Sequence, residues 1–226
     1  APAAPVPTED DADRWSARFA HKVSAYRNIV KPLDWQDYPY AFIFGQFDPG
    51  MFPTNDWRES ARAALSVGEI NNWARDMIDE DDPALIEQLR RQVLPRRGIR
   101  PRPDEIMMTI GAQHALYLIA NLFIKPTTRV GMKEPGYPDA RNIFGMLTEN
   151  LVPLPIDAHG LIPNTAFGQT ELAYVTAGHQ CPTTVVMPLE RRQELLRMAR
   201  EHDIVLIEDD YESGLIPDDS DPPPLK

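Results

Sequence analysis

Short apolar runs of strand length at 105–110, 129–133, 151–154, 172–176 and 204–209 alternate with segments of helical period. This alternation constrains the chain more than any other feature, because strands separated by helices pair most readily as a parallel sheet with right-handed crossovers. The helical segments are 56–65, 83–93, 112–123 and 189–201. In the second, Asp82 stands where a cap is needed and Pro83 at the first helical position, and Leu85, Leu89 and Val93 recur at i, i+4 spacing. The third is apolar nearly all round and is expected to be buried. In the fourth, Leu195, Leu196 and Ala199 face inward while Arg191, Arg192, Arg197 and Arg200 point mostly outward. The fold class expected is α/β, with a mainly parallel sheet flanked by helices.

At 226 residues, 42% of them hydrophobic and 25% charged, the chain has enough apolar material for one large core. Its net charge of −11 disfavours a free-standing DNA binder, since phosphate neutralisation needs a basic surface. Charge is segregated: residues 201–221 hold nine acids and no Lys or Arg, whereas 90–102 hold six arginines and no acid. Solvated surface is the simplest reading of both runs. Cys181 is the only cysteine, which excludes an intrachain disulfide and suits a reducing, cytoplasmic setting. The five histidines show no metal-ligand spacing, so no metal site is assigned. The longest apolar stretch, 116–124, is too short to span a bilayer.

The ends differ from the middle. Residues 1–46 open with a proline-rich and acidic stretch and read as a linker and N-terminal arm; 217–226 read as a proline-rich tail; 47–216 remain as the folded domain.

Phosphate-loop, dinucleotide and Gly-x-Ser-x-Gly signatures are absent. Three other segments fall at the carboxyl ends of strand candidates, where open α/β sheets place ligands. In Thr109-Ile110-Gly111-Ala112-Gln113-His114 a glycine turns the chain into a helix whose first N–H groups suit a phosphate. Lys133-Glu134-Pro135-Gly136-Tyr137-Pro138 holds an aromatic ring beside the same edge, where it could stack on a planar ligand. Lys133 itself reads as a surface residue. Ile204-Val205-Leu206-Ile207-Glu208-Asp209-Asp210-Tyr211-Glu212-Ser213 runs an apolar strand into acids and a tyrosine. If that strand persists, Asp209 and Tyr211 share a side, which suits a ligand carrying a protonated ring nitrogen and a neighbouring oxygen.

These segments, with Tyr174-Val175-Thr176-Ala177-Gly178-His179-Gln180-Cys181-Pro182-Thr183, resemble the fold-type I aminotransferases that use pyridoxal 5′-phosphate (PLP). They are most similar to the aminotransferase-like domain of MocR-type regulators in the GntR family. The pattern runs from Phe47-Asp48-Pro49-Gly50-Met51-Phe52-Pro53 to Ser213 and implies part of the aminotransferase large domain. The resemblance implies that the N–H groups of Ala112 and Gln113 hold the cofactor phosphate and that Tyr137 stacks on the pyridine ring. Asp209 would face the ring nitrogen and Tyr211 would donate to the ring oxygen. Cys181 stands in place of the asparagine that many aminotransferases direct at that oxygen, a position where MocR-type sequences commonly carry an aromatic residue. The family's Pro-Ser before His-Gln is here Ala177-Gly178.

In the family the lysine that anchors the cofactor lies downstream of the Asp-Asp-Tyr segment, beyond Lys226. No catalytic residue is therefore assigned, and the chain reads as a segment of a longer regulator that exposes an apolar sheet edge. The resemblance further implies an amino-acid-like effector, a homodimer, and DNA contact through a winged helix-turn-helix outside this chain. A PLP-dependent sensor is the leading reading. A catalytic aminotransferase and a non-catalytic interaction module are the alternatives.

Overall fold

The computed structural model describes residues 15–43, 45, 48–211 and 223–225. The opening proline-rich stretch, Phe47, Glu212, Ser213 and all but 223–225 of the tail lie outside the described residues. The chain divides into two units, Ile29–Thr109 and Ile110–Lys226 taken with Ala1–Asn28.

The Ile29–Thr109 unit contains α1 (Thr54–Ala64), α2 (Val67–Trp73) and α3 (Pro83–Gln88). Asp82 caps α3 as its sequence implies, its Oδ1 accepting from the N–H groups of Ala84 at 2.8 Å and Leu85 at 3.0 Å. The expected Leu85–Leu89–Val93 stripe does not form the inner face. Leu85 is 44% exposed and Val93 50%, and Ile86 is the buried residue. A wider π turn over Leu89–Val93, with i→i+5 bonding, breaks the i, i+4 register beyond Gln88 and takes Val93 off the face that Ile86 marks. The strand expected at 105–110 is also absent. Pro103–Glu105 form a 3-10 turn closed by a 2.8 Å bond from the Arg102 N–H to Glu105 Oε2, and the Met108 N–H donates to Asp81 rather than to a neighbouring strand. Extended residues without a ladder partner do not make a sheet.

The second unit carries the sheet. Its elements are α4 (Gly111–Phe123), β1 (Val130–Glu134), α5 (Pro138–Gly145), β2 (Leu151–Asp157), β3 (Gly160–Leu161), α6 (Thr165–Gly168), β4 (Leu172–Val175), α7 (Leu189–Glu201) and β5 (Val205–Glu208). Strand order is β3-β2-β1-β4-β5. The β1–β2, β1–β4 and β4–β5 pairs are parallel, with Val130 opposite Leu151 and Leu172, and Leu172 opposite Val205; only β2–β3 is antiparallel. The mainly parallel α/β expectation is met. β2 continues past its apolar run to Asp157 through Pro153 and Pro155, which stand opposite Met132 and Glu134 of β1.

Alternation along the strands supplies both faces of the sheet. Leu172 and Tyr174 pack with Val130, Met132 and the helical residues Leu116, Ala120, Ala140 and Phe144. Ala173 and Val175 pack on the opposite side with Leu154, Phe167, Leu195 and Ala199. Two expectations for the helices need correction. α4 is covered on one side only: Leu116 and Ala120 are buried, but Leu122 is 78% exposed. On α7, Arg192 points inward and is buried, donating to the carbonyls of Met187 at 2.8 Å and Ala177 at 2.7 Å and to that of Pro223. Arg192 shares the helical face of Leu195 and Ala199, and carbonyl acceptors make its burial tolerable. No helix among the described residues is long and apolar enough to cross a membrane.

Candidate functional site

Chain order reverses direction at β1: β2 is laid on one side, β4 and then β5 on the other. The carboxyl ends of β1 and β4 thus flank a topological switch point, the place where strands of such sheets splay and admit a ligand. The side chains gathered there come from four segments of the chain.

α4 begins with Gly111 at φ +79°, a left-handed conformation that L side chains rarely adopt, and this turn presents the first N–H groups of Ala112 and Gln113. Both residues are exposed. The Gln113 side chain reaches the turn after β1: its Nε2 donates to Asp139 Oδ2 at 2.7 Å and more weakly to Tyr137 OH at 3.4 Å. Tyr137 OH donates to the same Asp139 oxygen at 2.9 Å. A half-buried ring is thus held at its hydroxyl end. Gly136 makes the turn possible, since a Cβ there would stand 2.5 Å from the Lys133 carbonyl oxygen.

Across the switch point, Tyr174 OH donates to Asp209 Oδ2 at 2.6 Å, and the Asp209 N–H is fixed to the Val175 carbonyl at 2.9 Å. Burial, reinforced by the Asp209 charge, holds the Tyr174 phenol far above its ordinary range, so it stays a donor. Burial also raises the Tyr137 phenol; the hydrogen bond from Gln113 opposes this, while those to Asp139 and the charges of Asp139 and Asp209 add to it.

Lys133 is 1% exposed, which corrects the expectation of a surface residue. It lies in the most central strand, where a parallel sheet covers both faces and even a lysine is enclosed. Its Nζ donates to Thr176 Oγ1 and, at 3.0 Å, to Gln180 Oε1, and lies 5.5 Å from the Tyr174 ring centroid. The Cys181 N–H donates to Thr176 Oγ1 at 3.2 Å, which seats the half-buried Cys181 in the same loop. Ala177 is fully buried, and a Cβ on Gly178 would come within 2.9 Å of Asp210 Oδ1, so the small residues of this loop admit the acidic segment that follows β5.

β5 ends at Glu208, so the strand period does not carry through to Tyr211. Asp209 turns to Tyr174, whereas the Tyr211 ring meets His179 edge-on with centroids 5.3 Å apart. Of the residues named from sequence, Gln113 and Tyr137 meet at Asp139, with Ala112 beside Gln113 at the start of α4, whereas Asp209 meets Tyr174, Cys181 meets Thr176 and Tyr211 meets His179. Tyr174, Lys133, Asp139, Thr176 and Gln180 complete the site and were assigned no part from sequence. Only strand pairing, which sets β4 beside β5, reveals Tyr174 as the partner of Asp209.

No family model matches the chain. Among curated proteins it is 37% identical over 210 residues to the HTH-type transcriptional regulator TauR of Rhodobacter capsulatus, covering 93% of this chain and 43% of that protein. It is 32% identical over 131 residues to the probable rhizopine catabolism regulatory protein MocR of Rhizobium meliloti, covering 58% of this chain and 26% of that one. The chain thus spans less than half the length of these relatives. Among solved structures, an archaeal alanine:glyoxylate aminotransferase matches with a TM-score of 0.63 and 27% identity, over 75% of this chain and 45% of that one. The α-aminoadipate aminotransferase LysN of Thermus thermophilus, solved with N-(5′-phosphopyridoxyl)-L-leucine, matches with a TM-score of 0.60 and 25% identity, over 72% and 41%. The chain has the fold of the fold-type I aminotransferases, and its curated relatives include regulators of the MocR type.

Proposed function

We propose that this chain is the PLP-binding portion of an effector-sensing, aminotransferase-like domain in a MocR-type transcriptional regulator. The observation that carries the reading is the 2.6 Å Tyr174–Asp209 pair at the switch point. It fixes a carboxylate through one oxygen, and in this reading the other oxygen would meet a protonated ring nitrogen. That is the group a pyridine cofactor needs, because a protonated ring draws electrons from a bound amine.

The remaining side chains fit the same ligand. The exposed N–H groups of Ala112 and Gln113 at the start of α4 suit a phosphate. Tyr137, held by Gln113 and Asp139, offers a ring face for stacking. Cys181, in the loop after β4, and Tyr211, set against His179 of that loop, would border the ring oxygen. In this reading the chain orients the cofactor and protects its nitrogen-bound proton, and an amino compound is the effector. DNA contact would belong to a helix-turn-helix elsewhere in the full-length protein; the TauR relative is named an HTH-type transcriptional regulator. A homodimer follows the same reading.

The test is a PLP difference spectrum on the full-length protein. A saturable change, lost in Asp209→Ala and altered by amino compounds, supports a sensor. Likeness to named aminotransferases favours catalysis as the second reading. Steady transfer of an amino group to a 2-oxo acid by the full-length protein would establish it instead.

A further inference from the structure

Three polar side chains lie buried together beside the switch point: Lys133 near the end of β1, and Thr176 and Gln180 in the loop after β4. An ammonium carries three donors and no acceptor, so it dictates the orientation of the groups it meets. Lys133 Nζ donates to Thr176 Oγ1 and, at 3.0 Å, to Gln180 Oε1. Thr176 Oγ1 accepts a second hydrogen bond, from the Cys181 N–H at 3.2 Å. With its oxygen turned to the lysine, Gln180 directs its Nε2 to the carbonyls of Cys181 at 2.9 Å and Pro135 at 3.4 Å. Cys181 is therefore gripped at both its N–H and its carbonyl, and the same network reaches the turn that leads to Tyr137. That turn closes over Lys133, whose carbonyl oxygen leaves no room for a side chain at Gly136. Burying an ammonium is costly, and an apolar side chain would fill the same space without that cost. What the lysine contributes here is its donors.

Building on the cofactor reading above, we propose that Lys133 is a positioning residue: with Thr176 and Gln180 it clamps the loop after β4 to the turn after β1, and so fixes Cys181 and Tyr137 as two borders of the ring site. Lys133 touches no ligand in this arrangement. Its effect runs through Thr176 and Gln180; without it two buried acceptors lose their donor and the grip on Cys181 loosens. Borders already held in place leave little to be ordered when a planar ligand enters, so the clamp raises affinity without adding a contact.

Cys181 is the only cysteine in these 226 residues, which makes its alkylation a direct report on the loop. The experiment uses the full-length protein without PLP, with iodoacetamide as the probe and mass spectrometry of the peptide that carries Cys181. Lys133→Met and Thr176→Val should each react about tenfold or more faster than wild type, the scale of one lost hydrogen bond to a charged group. The double variant should react no faster than either single one, because both break the same clamp. Leu116→Ala, a core substitution in α4 outside the clamp, should leave the rate near the wild-type value in the absence of denaturant. Should Lys133→Met fail to fold, Thr176→Val and Gln180→Leu supply the same comparison. An unchanged rate in the clamp variants, multiplied effects in the double variant, or equal acceleration in Leu116→Ala would overturn the proposal. In a second step PLP should slow alkylation of the wild type and bind more weakly to the clamp variants; equal affinity in all of them would also overturn it. A clamp found in a protein that does not bind PLP rejects the cofactor reading alone.

Discussion

Tyr174, enclosed in β4, donates a 2.6 Å hydrogen bond to the carboxylate of Asp209, the first residue beyond β5. This bond joins the core of the sheet to the site at its edge, because the ring that packs on Phe144 also carries the hydroxyl that orients Asp209. Tyr174→Phe keeps the packing and deletes the donor. A hydrogen bond to a charged group contributes about 1.5–3 kcal/mol, and urea denaturation should show a loss in that range. An unchanged midpoint would mean that Asp209 finds another donor.

Lys133 gives the fold a defined pH dependence. Its folded value is about 8 against 10.5 in the unfolded chain, so between these two the unfolded state binds the extra proton. Stability attributable to this group therefore rises with pH across that window, and below about pH 8 the cost of burying the charge is fully felt. The wild type should gain up to about 3 kcal/mol relative to Lys133→Met between pH 8 and 10.5, measured as the difference of their denaturation free energies. Parallel pH profiles for the two proteins would refute this.

Arg192 is held by three carbonyls within the core. Arg192→Met preserves apolar volume but strands these acceptors, and the expected destabilisation is about 3–5 kcal/mol. Arg192→Lys should recover little, because an ammonium cannot reproduce the planar fork that reaches Met187, Ala177 and Pro223 together. Thermal unfolding of the two variants checks this: equal and small losses would place Arg192 outside the stabilising network.

Tyr137 is the ring assigned to stacking. Tyr137→Ala should weaken PLP binding by about 1 kcal/mol, the scale of an aromatic pair. A fluorescence titration showing no loss would move the stacking role to another residue.

The sheet was legible in the sequence because four of its strands are apolar runs bounded by turn residues and separated by helical segments. The failures have physical causes. At 105–110 the residues are apolar enough for a strand, but pairing depends on a neighbour that composition does not reveal. Lys133 and Arg192 were misplaced on charge alone, though position argued for burial: one sits in the central parallel strand, the other at i−3 and i−7 from Leu195 and Ala199. Motif order brought out Ala112, Gln113, Tyr137, Cys181, Asp209 and Tyr211. Tyr174, Thr176 and Gln180 emerged only once β1, β4 and β5 lay side by side.

Equilibrium dialysis of PLP against the wild-type chain and Asp209→Ala tests the central claim most directly, with circular dichroism confirming that both are folded. One saturable site per chain is expected, weakened about tenfold or more in the variant, as the loss of a charged hydrogen bond requires. Absence of saturable binding to the wild type, or equal affinity in the two proteins, would contradict the assignment of this switch point as a PLP site.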